Sequence, residues 1–351
     1  MKKRIITIGL IIFSVTVSKA QLSFEAEYTT EMQTNFGKGY NWVNLLWLSA
    51  ELPSEKISKR WKNGSFQVQF ISTYKLFDKR LADDLLHYSN IEEKNVLINP
   101  WLVGYTHQWD KVSLFGGVRN VNNDYFATPY TSLFTNSSAG IFPTLDQNFP
   151  LANYPLSAVC LHFEYQPTGN WLFKTSLYNG VAHDPRKNPL RSFTVHPRRD
   201  GIFSMSELSY TQNKLGSGIY SLGIGVQAFG EFPKPACSLW GTVEQAVHKN
   251  NRREIGFIVH GGFAPSAESV CRFYYAFGGY FAGLISKQKK DKLGIYVNEA
   301  FFSDIKEQTL EITWQYQIID AIAVQPSVHF IRTGEKTACV GLFRVIFSAG
   351  S

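Results

Sequence analysis

The chain has 351 residues, of which 18% are charged and 15% aromatic, with 27 Phe, 17 Tyr and 8 Trp. Its formal charge of +7 says less than it suggests, because the first twenty residues hold four of the 35 Lys and Arg; without them 31 stand against 28 Asp and Glu, a net +3. A general nucleic-acid binder loses its support, and no later stretch is long and apolar enough to cross a bilayer as a helix.

The opening MKKRIITIGLIIFSVTVSKA places Lys2, Lys3 and Arg4 before an apolar run over 5–17 and small residues at Ser18 and Ala20. This is the pattern of a secretory signal peptide cut between Ala20 and Gln21, leaving 21–351 as one exported domain. Strands are predicted at 22–30, 41–51, 65–75, 99–109, 111–119, 156–165, 170–179 and 201–211. Eight more follow at 217–228, 237–247, 253–261, 274–285, 293–302, 308–318, 321–331 and 338–347.

The period is cleanest in TLEITWQYQI, 309–318. Leu310, Ile312, Trp314, Tyr316 and Ile318 share one face, and Thr309, Glu311, Thr313, Gln315 and Gln317 share the other. Phe66, Val68 and Phe70 likewise oppose Gln67 and Gln69, and Tyr220, Leu222, Ile224 and Val226 oppose Ser221, Gly223, Gly225 and Gln227. Such strands separate an oily phase from a wet one. Lengths near ten residues fit tilted crossings of a hydrocarbon layer, whereas soluble strands usually run to about 5–6. Tight turns at WDK (109–111), QPTGN (166–170) and ID (319–320) alternate with longer inserts such as 120–155 and 180–200. An antiparallel transmembrane β-barrel of sixteen strands is the expected fold, closed so that no backbone amide or carbonyl faces lipid unpaired. Faces built of Thr, Gln, Gly and Ser should meet water, so the bore is expected to be a channel. Cys160, Cys237, Cys271 and Cys339 are far apart and lack zinc-site spacing; neither a specific bridge nor a metal is expected.

The segment GGVRNVNNDYFATPYTSLFTNSSAGIFPTLDQNFPLANYPLSAVCLHFEYQPTGNWLFKTSLYNG, 116–180, carries a Gly-basic-x-x-x-Asn element, an Asn-Ser-Ser loop and a YPLSA strand entry in order. With DGIFSMSELSY (200–210), KKDKLGIYV (289–297) and LEITWQYQIIDAIAVQPSVHFIRTG (310–334), it resembles the carbohydrate-selective porins of the OprB family over nearly the whole exported chain. The resemblance implies a sixteen-stranded outer-membrane barrel of a Gram-negative bacterium, passing small sugars passively into the periplasm, with loops forming a constriction. By motif, Arg119 falls on the family's basic position, Glu207 and Glu311 on acidic strand positions, and Asp291 on the Asp before Leu-Gly. The chain departs from the family in its four cysteines and in ending FRVIFSAGS, where Phe347 is expected to act as the terminal aromatic.

A sugar presents hydroxyls and apolar C–H faces, so a selective path needs hydrogen-bonding side chains beside aromatic surfaces. The inward positions Arg119, Lys174, Tyr178, Glu207, Glu244, Tyr296, Glu311, Gln315, Gln325 and His329 are the candidate path, with Glu164 and Arg344 on the same face; each has a structural alternative as a paired wall charge. Loop 126–155 is long and aromatic, so it is expected to tuck into the barrel mouth. The basic segment 183–200, with Arg186, Lys187, Arg191, Arg198 and Arg199, reads as an outer loop meeting water or anionic lipopolysaccharide, or as a rim drawing acidic sugars. Small sugars, outer-membrane lipid, lipopolysaccharide and the barrel-assembly machinery are the expected partners, with no cofactor and a monomer or trimer. A general diffusion pore for small hydrophilic or anionic solutes is the alternative function. An enzymatic barrel lacks GxSxG and HExxH, and His162, His260 and His329 read as wall residues. A secreted lectin-like sandwich would not explain sixteen long strands.

Overall fold

The computed structural model describes residues 22–37, 39–186, 188–213, 217–231 and 236–350, so the expected leader, 1–20, lies outside the described residues. The alternating segments form β1 (Ser23–Thr34), β2 (Tyr40–Pro53), β3 (Gly64–Lys75), β4 (Val96–Trp109), β5 (Val112–Arg119), β6 (Ala158–Tyr165), β7 (Trp171–Asn179) and β8 (Ile202–Gln212). They continue as β9 (Gly218–Ala228), β10 (Ala236–Lys249), β11 (Glu254–Phe263), β12 (Cys271–Ala282), β13 (Asp291–Phe302), β14 (Lys306–Ile319), β15 (Ile322–Thr333) and β16 (Lys336–Gly350). Each strand pairs antiparallel with its neighbours in sequence, and β1 closes on β16 from Glu25 opposite Gly350 to Thr34 opposite Gly341. Closure removes the two edges that an open sheet would expose to lipid. No helix among the described residues is long and apolar enough to cross a membrane, as an all-β barrel requires none.

The two-residue period sorts the faces as expected. Leu161, Leu177, Leu208, Leu222, Phe277 and Phe330 are exposed on the outer wall. Trp109, Tyr165, Trp171 and Phe347 ring the end that holds both termini, and Tyr40, Phe77, Phe229 and Phe263 ring the other, an apolar belt between aromatic girdles. Phe347 stacks on Tyr28 across the β1–β16 seam at 6.2 Å.

Three expectations need correction. β12 spans Cys271–Ala282, three residues earlier than predicted, although the apolar Leu284 and Ile285 prolong its pattern. The Asp291 carboxylate accepts the backbone N–H groups of Leu284, Ile285 and Ser286 at 2.9, 3.0 and 2.7 Å and turns the chain there; the motif Asp is therefore a turn clamp. Long connections do not alternate throughout: at the end opposite the termini only 76–95, 120–157 and 180–201 are long, and 303–305 and 334–335 are as short as the turns at the other end. Finally, much of the bore is dry. Tyr125, Phe126, Phe134, Phe142 and Leu145 from loop 120–157 form a buried core with inward Phe203, Met205, Trp240, Ile258, Tyr274 and Tyr296.

Candidate functional site: two inward loops and the passage between them

Loop 120–157 enters the barrel as expected, and the wall is shaped to receive it. Small residues on the inner face leave seats for its rings. A Cβ on Gly294 would stand 2.6 Å from the Phe134 ring, one on Gly225 would stand 2.7 Å from Leu145, and one on Gly256 would overlap Tyr130. Tyr130 lies flat on Tyr280, with centroids 4.1 Å apart. Wall carboxylates then satisfy backbone that the loop buries. Glu311 accepts the N–H of Thr135 and of Asn136 at 2.8 and 3.0 Å and the Thr135 hydroxyl at 3.0 Å. Glu244 accepts the Tyr130 N–H at 2.9 Å and the Thr128 hydroxyl. Asn148 exchanges two bonds with the backbone of Cys271, at 2.7 and 3.0 Å, extending the sheet's own chemistry to the loop. Buried amides with no partner would cost about 1–3 kcal/mol each, so these acceptors decide where the loop can rest.

Loop 76–95 also folds inward, beside loop 120–157 and against β1, β14 and β16. Glu307 accepts the N–H groups of Leu85 and Leu86, both at 2.8 Å. Glu31 accepts Ser89 Oγ–H at 2.7 Å and pairs with Arg344. Burial pushes the Asp84 carboxyl up to about 7 against the pull of Arg80, while Glu307 adds to the rise. Burial, with Arg80 and Lys75 nearby, draws His87 down to about 3. The loops bond to each other through Ser137 N–H to His87 O at 2.8 Å, Asn90 N–H to Thr135 O at 2.7 Å and Tyr154 O–H to Ile91 O at 2.9 Å.

Between these loops and β4 remain two polar cavities. An inner cavity of about 360 Å³ is lined by Asn90, Glu92, Glu93, Trp101, Asn122, Asp146, Gln147, Asn153 and Tyr154, among others. An outer one of about 320 Å³ shares Glu93, Asp146, Asn153 and Tyr154 with it and adds Lys94, Asp184 and Arg186. These four residues are common to both walls, so the two cavities are neighbours. Trp101 occupies a bulge, since Gln69 pairs with Leu102 and Phe70 with Pro100; the extra residue re-aims the side chain. Its ring packs edge-on against Tyr154 with centroids 5.9 Å apart. Asp146 accepts from Asn153 at 2.5 Å and from Gln147 at 2.8 Å, and its burial keeps the carboxyl above the ordinary range despite those bonds.

The ten residues proposed from sequence face inward, and loop 120–157 takes up most of their polar atoms. Besides Glu311 and Glu244, His329 Nε2 bonds Thr135 Oγ1 at 2.8 Å and Gln325 donates to Leu133 O at 2.6 Å. Tyr296 O–H lies 2.7 Å from Tyr274 O–H, which donates to Ser138 O. Arg119 pairs with Asp124 at the root of the loop; Lys174 pairs with Glu207 at 2.8 Å and also donates to Asp124 O. Trp240 Nε1–H donates to Glu207 at 3.1 Å, and Tyr178 is buried in the core. Gln315 is half-buried. Glu164 accepts from His162 at 3.1 Å. In segment 183–200, Arg186 pairs with Asp184 and Arg199 with Asp200, while Lys187 lies outside the described residues. Sequence reasoning missed Trp101, Glu93, Asp146 and the amides around them; the residue count between β3 and β4 and the aromatic loop that ends at Tyr154 were the available signals.

Comparison with known proteins agrees with this architecture. The high-pH structure of OprB from Pseudomonas putida superposes with a TM-score of 0.77 at 14% identity, covering 93% of this chain and 94% of that one. A loop-deletion mutant of OmpT from Vibrio cholerae gives 0.60 at 10% identity over 93% and 99%, and a substituted Rhodopseudomonas blastica porin gives 0.58 at 11% over 93% and 100%. No curated protein sequence matches the chain. The family model described as carbohydrate-selective porin, OprB family, matches residues 101–226 and 224–341, most of the sixteen-stranded wall and the whole of loop 120–157, and the chain belongs to that family as a sugar porin of the outer membrane.

Proposed function

We propose that the passage between loops 76–95 and 120–157 is the route by which small sugars cross, and that the inward charges named from sequence mainly hold the loops that shape it. The observation that carries this reading is the pairing of Trp101 and Tyr154 among Asn90, Asn122, Gln147 and Asn153. Aromatic faces stack on C–H surfaces while amides both donate and accept to hydroxyls. No bound solute is held by charge alone, so release stays fast, as conduction requires. The channel is passive and non-catalytic in this reading. Exposed Arg191 and Arg198 in the outer loop support contact with lipopolysaccharide, and the lipid-facing Phe347 supports recognition by the barrel-assembly machinery.

The test is Trp101→Ala. Liposome swelling with glucose should slow several-fold relative to a non-sugar solute of equal size, while small-ion conductance holds or rises because the passage is wider. Equal changes for both solutes would show that the ring only narrows the bore, favouring a general diffusion pore.

A further inference from the structure

Of the connections at the end that holds both termini, 54–63 between β2 and β3 is the longest. Its sequence, SEKISKRWKN, sets Lys56, Lys59, Arg60 and Lys62 against a single acid, Glu55. All four cations are exposed, and none is in an ion pair among the described residues. The turn is nevertheless firmly built. Ser54 Oγ–H donates to Trp61 O at 2.7 Å, Trp61 N–H donates to Ser58 O at 2.9 Å, and Gln108 N–H of β4 donates to Asn63 O at 2.7 Å. Trp61 is thereby laid back on the outside of the barrel, with its ring centroid 5.2 Å from that of Phe66 and 5.1 Å from that of Tyr105. Phe66 and Tyr105 are paired across β3 and β4 on the lipid-facing side. A Cβ on Gly64 would overlap the Tyr105 ring that supports Trp61, so the glycine keeps this stack in place.

Trp61 fixes where its neighbours stand. An indole on the outer wall at the end of a barrel lies at the level of the lipid headgroups, and Arg60 and Lys62 flank it directly. Ile57, also exposed, adds apolar surface beside Lys56. Basic side chains next to such an anchor rest their stems on apolar surface and carry their charge to lipid phosphates. The end with the short turns faces the periplasm in a barrel of this kind, where the leaflet is phospholipid and not lipopolysaccharide. We propose that turn 54–63 is a docking site for anionic phospholipid of the periplasmic leaflet, its four cations meeting the lipid phosphodiester while Trp61 and Ile57 enter the acyl boundary. A zwitterionic phospholipid offers the same phosphate but brings its own ammonium, so it is held less well. A soluble acidic partner would leave the indole and the isoleucine without a role. The site lies outside the bore and is independent of the sugar route.

The experiment delipidates the full barrel in neutral detergent, offers it phosphatidylglycerol and phosphatidylethanolamine of matched chains in equal amounts, and counts the bound lipids by native mass spectrometry. The wild type should retain phosphatidylglycerol over phosphatidylethanolamine by about three- to tenfold, and by less as salt is raised. Lys56→Gln, Lys59→Gln, Arg60→Gln and Lys62→Gln combined should bring the ratio towards one with heat-modifiable migration intact, whereas Lys306→Gln with Lys336→Gln, exposed at the opposite end, should leave it unchanged. Trp61→Ala keeps every charge and should still lower phosphatidylglycerol retention, which a site for a soluble anion would not. Equal retention of the two lipids by the wild type would overturn the proposal even if the variants failed to assemble, and so would an undiminished ratio in the fourfold variant. Displacement of the lipid by inorganic phosphate at matched ionic strength would assign the cations to a free anion, and capture of the wild type but not the fourfold variant by insoluble peptidoglycan, without any lipid preference, would assign them to the cell wall; either result overturns the lipid site.

Discussion

Glu311→Leu tests the seating of loop 120–157 at its most connected point. The carboxylate of Glu311 is fully buried and receives three hydrogens, two of them from the backbone of Thr135 and Asn136. Leucine fills most of the same space and offers no acceptor, so water has little room to take the carboxylate's place. Two backbone N–H groups are then stranded at about 1–3 kcal/mol each, a loss of about 2–6 kcal/mol to the seated loop. At about 1.4 kcal/mol per decade, the ratio of seated to displaced loop falls by about one and a half to four decades. The wall ladder is untouched, because Glu311 keeps its backbone pairing with Tyr296 and His329. Heat-modifiable migration on a gel should therefore remain, while single-channel recordings show higher conductance or frequent large openings. Glu311→Gln, with one acceptor oxygen in place of two, should fall between. Wild-type conductance and noise in Glu311→Leu would refute the idea that wall carboxylates hold the loop.

Deleting 136–149 removes the part of the loop that carries Phe142 and Leu145 into the dry core; single-channel conductance should rise, and an unchanged value would contradict a plug. Gly294→Val places side-chain atoms where the Phe134 ring now lies, so it should open the channel much as Glu311→Leu does, whereas a silent result would mean that the glycine seat is dispensable. The pH response of loop 76–95 follows from two opposed groups. Asp84, at about 7 when folded against an ordinary 3.8, binds more protons in the packed loop, so its contribution is lost as pH rises through that window. His87, at about 3 against 6.5, binds fewer, so its contribution is lost as pH falls from 6.5 towards 3. Amide exchange protection of 76–95, corrected for intrinsic rates, should change little between pH 4 and 6.5 in the wild type, rise with pH in Asp84→Asn and fall with pH in His87→Gln; parallel slopes in the two variants would be inconsistent with opposed titrations.

The barrel was legible in the sequence because a spanning strand leaves a strong mark: a lipid face cannot tolerate polar residues, so Leu222 and Ile224 must alternate with Ser221 and Gln227. Boundaries were less clear where a side chain beyond the strand sets its end, as Asp291 does for β12. The inward turn of 120–157 could be read from its aromatics, but that of 76–95 could not. FDKRLADDLLHYSNIEEK looks like a solvated loop, and its Asp84, Tyr88 and Glu92 are buried against partners that the fold gathers around them: Arg80 of the same loop, Lys75 at the end of β3 and Gln33 of β1. The same blindness affected the site. Alternation tells which residues face inward; it does not tell whether water or another loop meets them. Glu244 and Glu311 thus read as path residues, while the passage itself is assembled from two loops and a bulge, whose geometry has no periodic signature.

The most direct test of the route places a block within it. Gln147→Cys, in a background with the partly exposed Cys237 and Cys339 replaced by Ala, puts a thiol in the inner cavity wall. After complete reaction with a bulky maleimide, glucose-driven swelling should drop to the protein-free rate, while the unlabelled protein swells normally. Undiminished swelling at full labelling would mean that sugars cross elsewhere in the barrel.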